Sequence, residues 1–476
     1  MSETRRKFFT QLGLIGAGSA IVLPRISRAS GSALGRVAPT PRHIIHMVAD
    51  GMSSGTLTLA DHFSRLTRKR GLTWMEHSRR EGTILASMNM RSLNSLVTDS
   101  AAAASSWGSG SRVTNGSLNQ LPDGKRLTPM CSVVENVSWK RGLVTTTEIT
   151  HATPAGFAAC VSSRSSADEI AEQYLGCRVE VLLGGGRNYF DREKRKDKRD
   201  LFSDYRTSGY VTMNEASELD SAPLGNRWLG TFASGHLPFS LDTAGDIKLR
   251  MVTPTLARMT EQALAKLGRE NHFFLMVEGG RVDHGAHACD IAAALHDMVA
   301  FDEALDVCLA FQKRVPETLV VVTSDHGTGN PGLNGIGDKY EKSSSAFANI
   351  LNVKRSAEAL SGEITAKTSA ADIQRVLKDA TGWAVPEKQA AQFAEFLAGR
   401  WQPLLTTMNS TAAQLGQLLG NYVGVGWSGS QHTADYVPLL ASGPGAERFR
   451  GFLQNTDVFP SYVELAGVDF RNPSAE

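Results

Sequence analysis

Five apolar runs along the chain each end in a polar cluster. His43 to Val48 leads to Asp50-Gly51, Leu143 to Thr147 to Glu148, and Val179 to Leu183 to Gly184-Gly185-Gly186; Phe273 to Val277 leads to Glu278-Gly279-Gly280, and Thr318 to Thr323 to Ser324-Asp325-His326. Such short, nearly continuous apolar runs read as strands buried on both faces. Helical patterns such as Ile291 to Phe311 alternate with them, which predicts an α/β fold with a central, mostly parallel sheet flanked by helices on both faces. In that architecture ligands bind beyond the carboxyl ends of the strands, where these polar clusters fall.

From Asn330 to about Gly424 the pattern changes to helical stretches, among them Ala370 to Lys378 and Ala390 to Trp401, with no strand and polar-cluster units. This region, about 330–424, is expected to be an inserted cap or crown over the sheet of one domain spanning 30–476. A strand signal returns at Tyr436 to Ala441, and Thr456 to Leu465 reads as a closing helix.

A different junction lies at Leu96-Val97-Thr98-Asp99-Ser100, followed by an alanine-rich run. It reads as an apolar strand giving way to a helix that opens on Ser100. Unpaired N–H groups and the positive dipole end at such a position favour a negatively charged reacting group. A serine there is often only a cap, so its meaning depends on the acidic and histidine residues elsewhere.

Asp283 and His287 are four residues apart, which puts both on one side of a helical turn. Asp325-His326 and Asp50 each follow a strand, and Glu278 ends another. Asp and neutral His suit zinc, whereas carboxylate, hydroxyl and water suit magnesium. Singly these residues read as caps or ion-pair partners, but the fold would bring them to one edge. Two cations about 4 Å apart activate a nucleophile and neutralise the leaving oxygen of a phosphoryl transfer. Ser100 is then the expected nucleophile, and Arg164, in a further strand-then-polar junction, the expected partner of the phosphate oxygens.

Composition narrows the class. The 476 residues are 41% apolar and 21% charged, as in a globular protein. Thr4-Arg5-Arg6-Lys7-Phe8-Phe9, an uncharged stretch from Leu12 to Leu23 and Ser27-Arg28-Ala29 read as a twin-arginine export signal over 1–29. Cleavage there would remove five basic residues and one acidic residue, turning the formal charge of +2 into −2 and leaving no basic excess for nucleic acid. The expected location is the periplasm or the exterior, with no membrane anchor after cleavage. Five cysteines without C-x-x-C spacing leave at least one unpaired; Cys160 and Cys308 read as core residues.

In order and type, several segments resemble the alkaline phosphatases through nearly the whole chain after the leader. They are Ala49-Asp50-Gly51-Met52, Thr98-Asp99-Ser100-Ala101-Ala102, Thr150-His151-Ala152-Thr153-Pro154-Ala155 with Ser163-Arg164, Leu183-Gly184-Gly185-Gly186-Arg187, Gly235-His236-Leu237-Pro238, Val277-Glu278-Gly279 with Asp283-His284 and His287, Thr323-Ser324-Asp325-His326, and Gln431-His432-Thr433. The resemblance implies hydrolysis of small-molecule phosphate monoesters through a phosphoserine on Ser100, with Arg164 on the phosphate and two Zn2+ and one Mg2+ as cofactors. One zinc would take Asp283, His287 and His432, the other Asp50, Asp325 and His326; the magnesium would take Glu278, Thr153 and Asp50. His151 stands where some members carry Asp, and His284 where some carry Lys, a pair that reaches phosphate through water in those members. An imidazole at 151 is able to ligate the third metal, whose identity stays open because nitrogen favours softer ions. Many relatives are homodimers, an assembly the resemblance leaves open here because the region from Asn330 to Gly424 could either build or block such an interface.

Other readings compete. Gly51-Met52-Ser53-Ser54-Gly55 matches the nucleophile elbow of serine esterases, but an esterase has no use for so many strand-end Asp and His residues. A phosphodiesterase or other phosphoryl or sulfuryl hydrolase of the same superfamily is the nearer alternative; the third site of Glu278 and Thr153 favours monoesters, and the nucleophile segment lacks the sulfatase C/S-x-P-x-R pattern. A non-catalytic phosphate binder is disfavoured by Ser100. His43, His46, His62 and His77 read as packing or surface residues, His296 as exposed and His236 as structural.

Overall fold

The computed structural model describes residues 40–475, and the leader expected over 1–29 lies outside the described residues. In chain order the strands are β1 (His43–Ala49), β2 (Ile84–Asn89), β3 (Lys140–Glu148), β4 (Val181–Gly185), β5 (Tyr210–Met213), β6 (Arg227–Thr231), β7 (Phe273–Gly279), β8 (Thr318–Thr323), β9 (Gly327–Thr328), β10 (Gly332–Leu333), β11 (Val425–Gly426), β12 (His432–Thr433), β13 (Val437–Ser442) and β14 (Gly451–Gln454). Ten of them form one sheet in the order β14-β2-β13-β8-β1-β7-β3-β4-β6-β5. β13 alone runs against its neighbours β2 and β8.

Every residue of β1, β7 and β8 is buried. Successive side chains of β1 enter opposite layers, Ile44 joining one apolar cluster with Leu143 and Met276, and Ile45 the other with Leu275 and Val320. Because β8, β1, β7 and β3 are parallel neighbours, their carboxyl ends share one edge. Val48 lies level with both Glu278 and Thr323, so Asp50, Glu278 and Asp325 come together by register alone.

Two expected junctions differ from the structure. Leu96 and Val97 belong to a loop and are 75% and 37% exposed. The loop holds itself, with the Val97 N–H donated to the Ser95 side chain and the Val97 carbonyl accepting from Asn115. Nor does a strand precede Arg164, since Val161 makes an isolated antiparallel bridge to Leu118. His296, expected to be exposed, is half-buried against Phe63.

In the 330–424 region the apolar faces of the helices Ala370–Thr381, Glu387–Leu397 and Thr411–Val423 gather in their own cluster, which includes Ala288 from the sheet-bearing part. Three carboxylates fasten it: Asp242 accepts from the Ser356 amide and hydroxyl, Asp290 from the Ala357 amide, and Glu358 pairs with Arg281 at 2.7 Å. All five cysteines are free thiols, with Cys160 and Cys308 buried.

Candidate active site

Ser100 is the first residue of the helix Ser100–Ser109, with Asp99 as cap accepting from the Ala102 amide at 2.9 Å. The alanine, serine and glycine content of this helix serves close packing. A Cβ on Gly108 would stand 1.9 Å from the Gly156 carbonyl oxygen, and one on Gly156 would stand 2.5 Å from Ala104 Cβ. Backbones therefore touch, and the short helix Ala152–Gly156, opened by His151, lies against the helix that Ser100 begins.

Ser100 Oγ is 3.3 Å from His326 Nε2, which lies 3.0 Å from Asp325 Oδ2 and 3.7 Å from Asp50 Oδ1. Asp50, Asp325 and His326 are wholly buried. The other Asp325 oxygen accepts from the amides of Gly51 and His326. A second group joins Asp283, His287 and His432: His287 Nε2 is 3.3 Å from Asp283 Oδ2, and the Nε2 atoms of the two histidines are 3.0 Å apart. The His326 and His432 rings stack at 3.5 Å between centroids, which joins the two groups.

The far nitrogens set the tautomers. His287 Nδ1 faces the Ser430 carbonyl at 2.6 Å and His432 Nδ1 the Thr98 carbonyl at 2.8 Å; carbonyls only accept, so both rings carry the proton on Nδ1. Thr328 gives its hydroxyl proton to Asp283 at 2.6 Å and so accepts from His326 Nδ1 at 3.2 Å. Three Nε2 atoms thus face the carboxylates, the usual orientation of metal-ligating imidazoles.

A third group, Asp50, His151 and Glu278, brings its donor atoms within 4.8 Å of one another, as do the other two groups. Glu278 Oε2 accepts from the Thr145 and Thr147 hydroxyls. Both Asp50 oxygens, Asp325 Oδ2, Glu278 Oε1, Thr153 Oγ1 and His151 Nδ1 are buried without a hydrogen-bond partner. Burial and the facing carboxylates of Asp325, Asp283 and Glu278 hold the Asp50 pKa well above the usual range, and burial lifts Glu278 to about 7. Burial opposes charge on His287, but the Asp283 carboxylate outweighs it and raises the ring to about 9, so a cation at its Nε2 would take the place of a proton. Orphaned oxygens, inward-facing imidazole nitrogens and crowded buried carboxylates together make a donor set that fits divalent cations.

Arg164 donates to Asp99 at 3.0 Å and to His151 Nε2 at 3.1 Å, with 27% of its side chain exposed. His284 accepts at Nδ1 from Arg281 at 2.7 Å, and the Arg281 guanidinium lies 3.8 Å from the centre of the Phe239 ring. The sequence reading missed Thr328, Arg281 and the carbonyls of Thr98 and Ser430. Only the nearness of Thr328 to His326 and of Thr98 to Ser100 could have hinted at two of them. Ser53, the esterase candidate, caps the helix Ser54–Arg68 through the Thr56 amide.

Fold and site define the class: an α/β enzyme whose strand-end carboxylates and histidines form a donor set suited to metals beside a serine that opens a helix. The sequence profile described as "Alkaline phosphatase" matches residues 41–467, and the chain belongs to the alkaline phosphatase family. It is 31% identical to alkaline phosphatase 4 of Bacillus subtilis over 372 residues, 76% of this chain and 75% of that protein. With alkaline phosphatase of Escherichia coli it shares 30% identity, covering 60% of this chain and 70% of that one. The crystal structure of Thermus thermophilus alkaline phosphatase superposes with a TM-score of 0.85 at 31% identity, covering 95% of this chain and 97% of that one. The chain is a metal-dependent phosphate monoester hydrolase. Among the described residues no helix is long and apolar enough to cross a membrane.

Proposed function

We propose that Ser100 is the nucleophile of a two-step monoester hydrolysis. Its oxygen attacks phosphorus, the alcohol leaves, and water then cleaves the phosphoserine to release phosphate. Asp283, His287 and His432 would hold one zinc, and Asp50, Asp325 and His326 the second. Glu278, Thr153, Asp50 and His151 would hold the third ion, magnesium or a softer metal. When bound, the cations would lower the pKa of the serine hydroxyl and of the attacking water and neutralise the leaving oxygen.

The chain's own groups do the rest. Asp99 caps the helix so that its N-terminus faces the phosphoryl group, and Asp99 also steadies Arg164. Arg164 grips the non-bridging oxygens with its planar fork. A neutral imidazole has a single acceptor nitrogen, so a cation held by His151 would take the place of the Arg164 hydrogen bond and leave that guanidinium free for the phosphate. His284, kept neutral by burial and the neighbouring Arg281 charge, completes the polar wall beside His151.

Residues 1–29 are proposed to direct export by the twin-arginine route to the periplasm or exterior. The 330–424 region is proposed as a cap, and a homodimer as the assembly. The observation that carries the mechanism is the meeting, beside Ser100, of buried carboxylate and hydroxyl oxygens without protein partners. The test is metal content per chain measured with turnover of a nitrophenyl phosphate monoester before and after chelation. We expect three ions per chain and loss of activity on chelation. Full activity in metal-stripped protein would end the reading, and equal turnover of the matching diester would end monoester preference.

A further inference from the structure

Three imidazoles meet beside the third donor group. The ring centroids of His151, His236 and His284 form a triangle with sides of 4.4, 5.6 and 5.8 Å, and His151 stands nearly perpendicular to both others, at 86° to His236 and 83° to His284. His236 accepts the Glu148 amide at Nδ1, 3.1 Å away. Its proton is therefore on Nε2, and Arg281 imposes the same tautomer on His284.

The strap that carries His236 is rigid on either side. The Gly235 carbonyl accepts from the Gly186 amide at 2.8 Å, and the Leu237 amide donates to the Thr146 carbonyl at 3.0 Å. A Cβ on Gly185 would stand 2.1 Å from the Gly235 oxygen, so the strap is pressed onto the end of β4. An imidazole held this firmly against a candidate ligand restricts that ligand's ring plane, and a donor group is only as well aimed as its supports.

We propose that His236 is a positioning residue for the third cation site: its ring, fixed by the Glu148 amide and seated against His284, holds the His151 ring at the angle that keeps a nitrogen beside Asp50 and Glu278. The inference rests on the functional reading above. It makes no use of proton transfer by His236, whose ring burial and the nearby Arg281 charge keep neutral, its pKa lowered to about 4.

The test compares wild type, His236→Ala and His236→Asn, each loaded with two zinc ions per chain, in calorimetric titrations with Mg2+. Asn keeps an acceptor near the Nδ1 position for the Glu148 amide but lacks the ring, so it separates strap fastening from ring packing and serves if the Ala variant does not fold. We expect both variants to bind Mg2+ about 10- to 100-fold more weakly, with zinc content unchanged at two per chain. Wild-type affinity in either variant overturns the inference while leaving the phosphatase reading intact. A wild-type enzyme that takes up no third ion overturns both the inference and the three-metal reading.

Discussion

Asp50, Glu278 and Asp325 stand at the ends of three neighbouring strands and are wholly buried, whereas His287 and His432 come from a seven-residue helix and a two-residue strand and keep 31% and 15% of their side chains exposed. The first set is positioned by sheet register, before any ligand is considered. Its cost is electrostatic, since carboxylates crowd where water cannot reach. The second set is positioned by single hydrogen bonds from its far nitrogens and stays partly open to solvent, with the Asp283 carboxylate favouring charge on His287. One half of the site is fixed by register but crowded with buried carboxylate charge; the other half is less firmly fixed and less crowded.

Ser100, which touches His326 of the buried half, is where the largest effect is expected. Ser100→Ala should lower turnover by at least ~10³-fold while phosphate still binds, as measured by steady-state kinetics and a phosphate titration. Unchanged turnover would overturn the covalent mechanism.

A pair of truncations separates the buried half of the site from the exposed one. Asp325→Ala should reduce kcat/KM by about 10³-fold and His432→Ala by about 10- to 100-fold, because water is able to stand in for a ligand on the exposed side more readily than in the buried half. Equal losses would break the distinction. A smaller effect is expected from Thr328→Val, which removes the hydroxyl between Asp283 and His326. Its zinc affinity, read in a competition titration with a chelator, should fall by about tenfold.

Asp297 shows what burial does to a carboxylate outside both halves. It accepts from the Ser240 amide and hydroxyl, yet burial raises its pKa to about 7. A folded-state pKa above the unfolded value of 3.8 means that the folded chain binds the extra proton, so this contribution to stability is present below about pH 4 and is lost as pH rises through about 7. Asp297→Asn should therefore gain stability relative to the parent across that range, by on the order of 3 kcal/mol, in urea unfolding of the metal-stripped proteins at pH 4.5 and pH 8. A difference that does not change with pH would show that Asp297 is ionised throughout.

The buried strands were legible because a strand covered on both faces must be apolar along its length. β8 matches its expected bounds, and β1, β3, β4 and β7 differ from theirs by one to a few residues. The outer strands β2, β5, β6 and β14 escaped notice. β2 alternates exposed Leu85 with buried Met88 over six residues, and β5 and β14 are four residues each, too short to carry a period. The loop before Ser100 misled for the opposite reason: Leu96 and Val97 look like a strand, but both are exposed and Val97 bonds to the nearby Ser95 and Asn115 side chains.

The amino-acid sequence by itself determined the parallel core, the strand-end carboxylates and the helix that opens on Ser100, since these follow from short-range patterning and from residue type. Only the tertiary structure decided which nitrogen of each histidine faces the carboxylates, how Arg164 lies between Asp99 and His151, and that His236 leans on the third donor group. Those depend on carbonyls, amides and rings that lie up to hundreds of positions away, as the Thr98 carbonyl does from His432. Orientation is set by such partners, and no local sequence pattern encodes them.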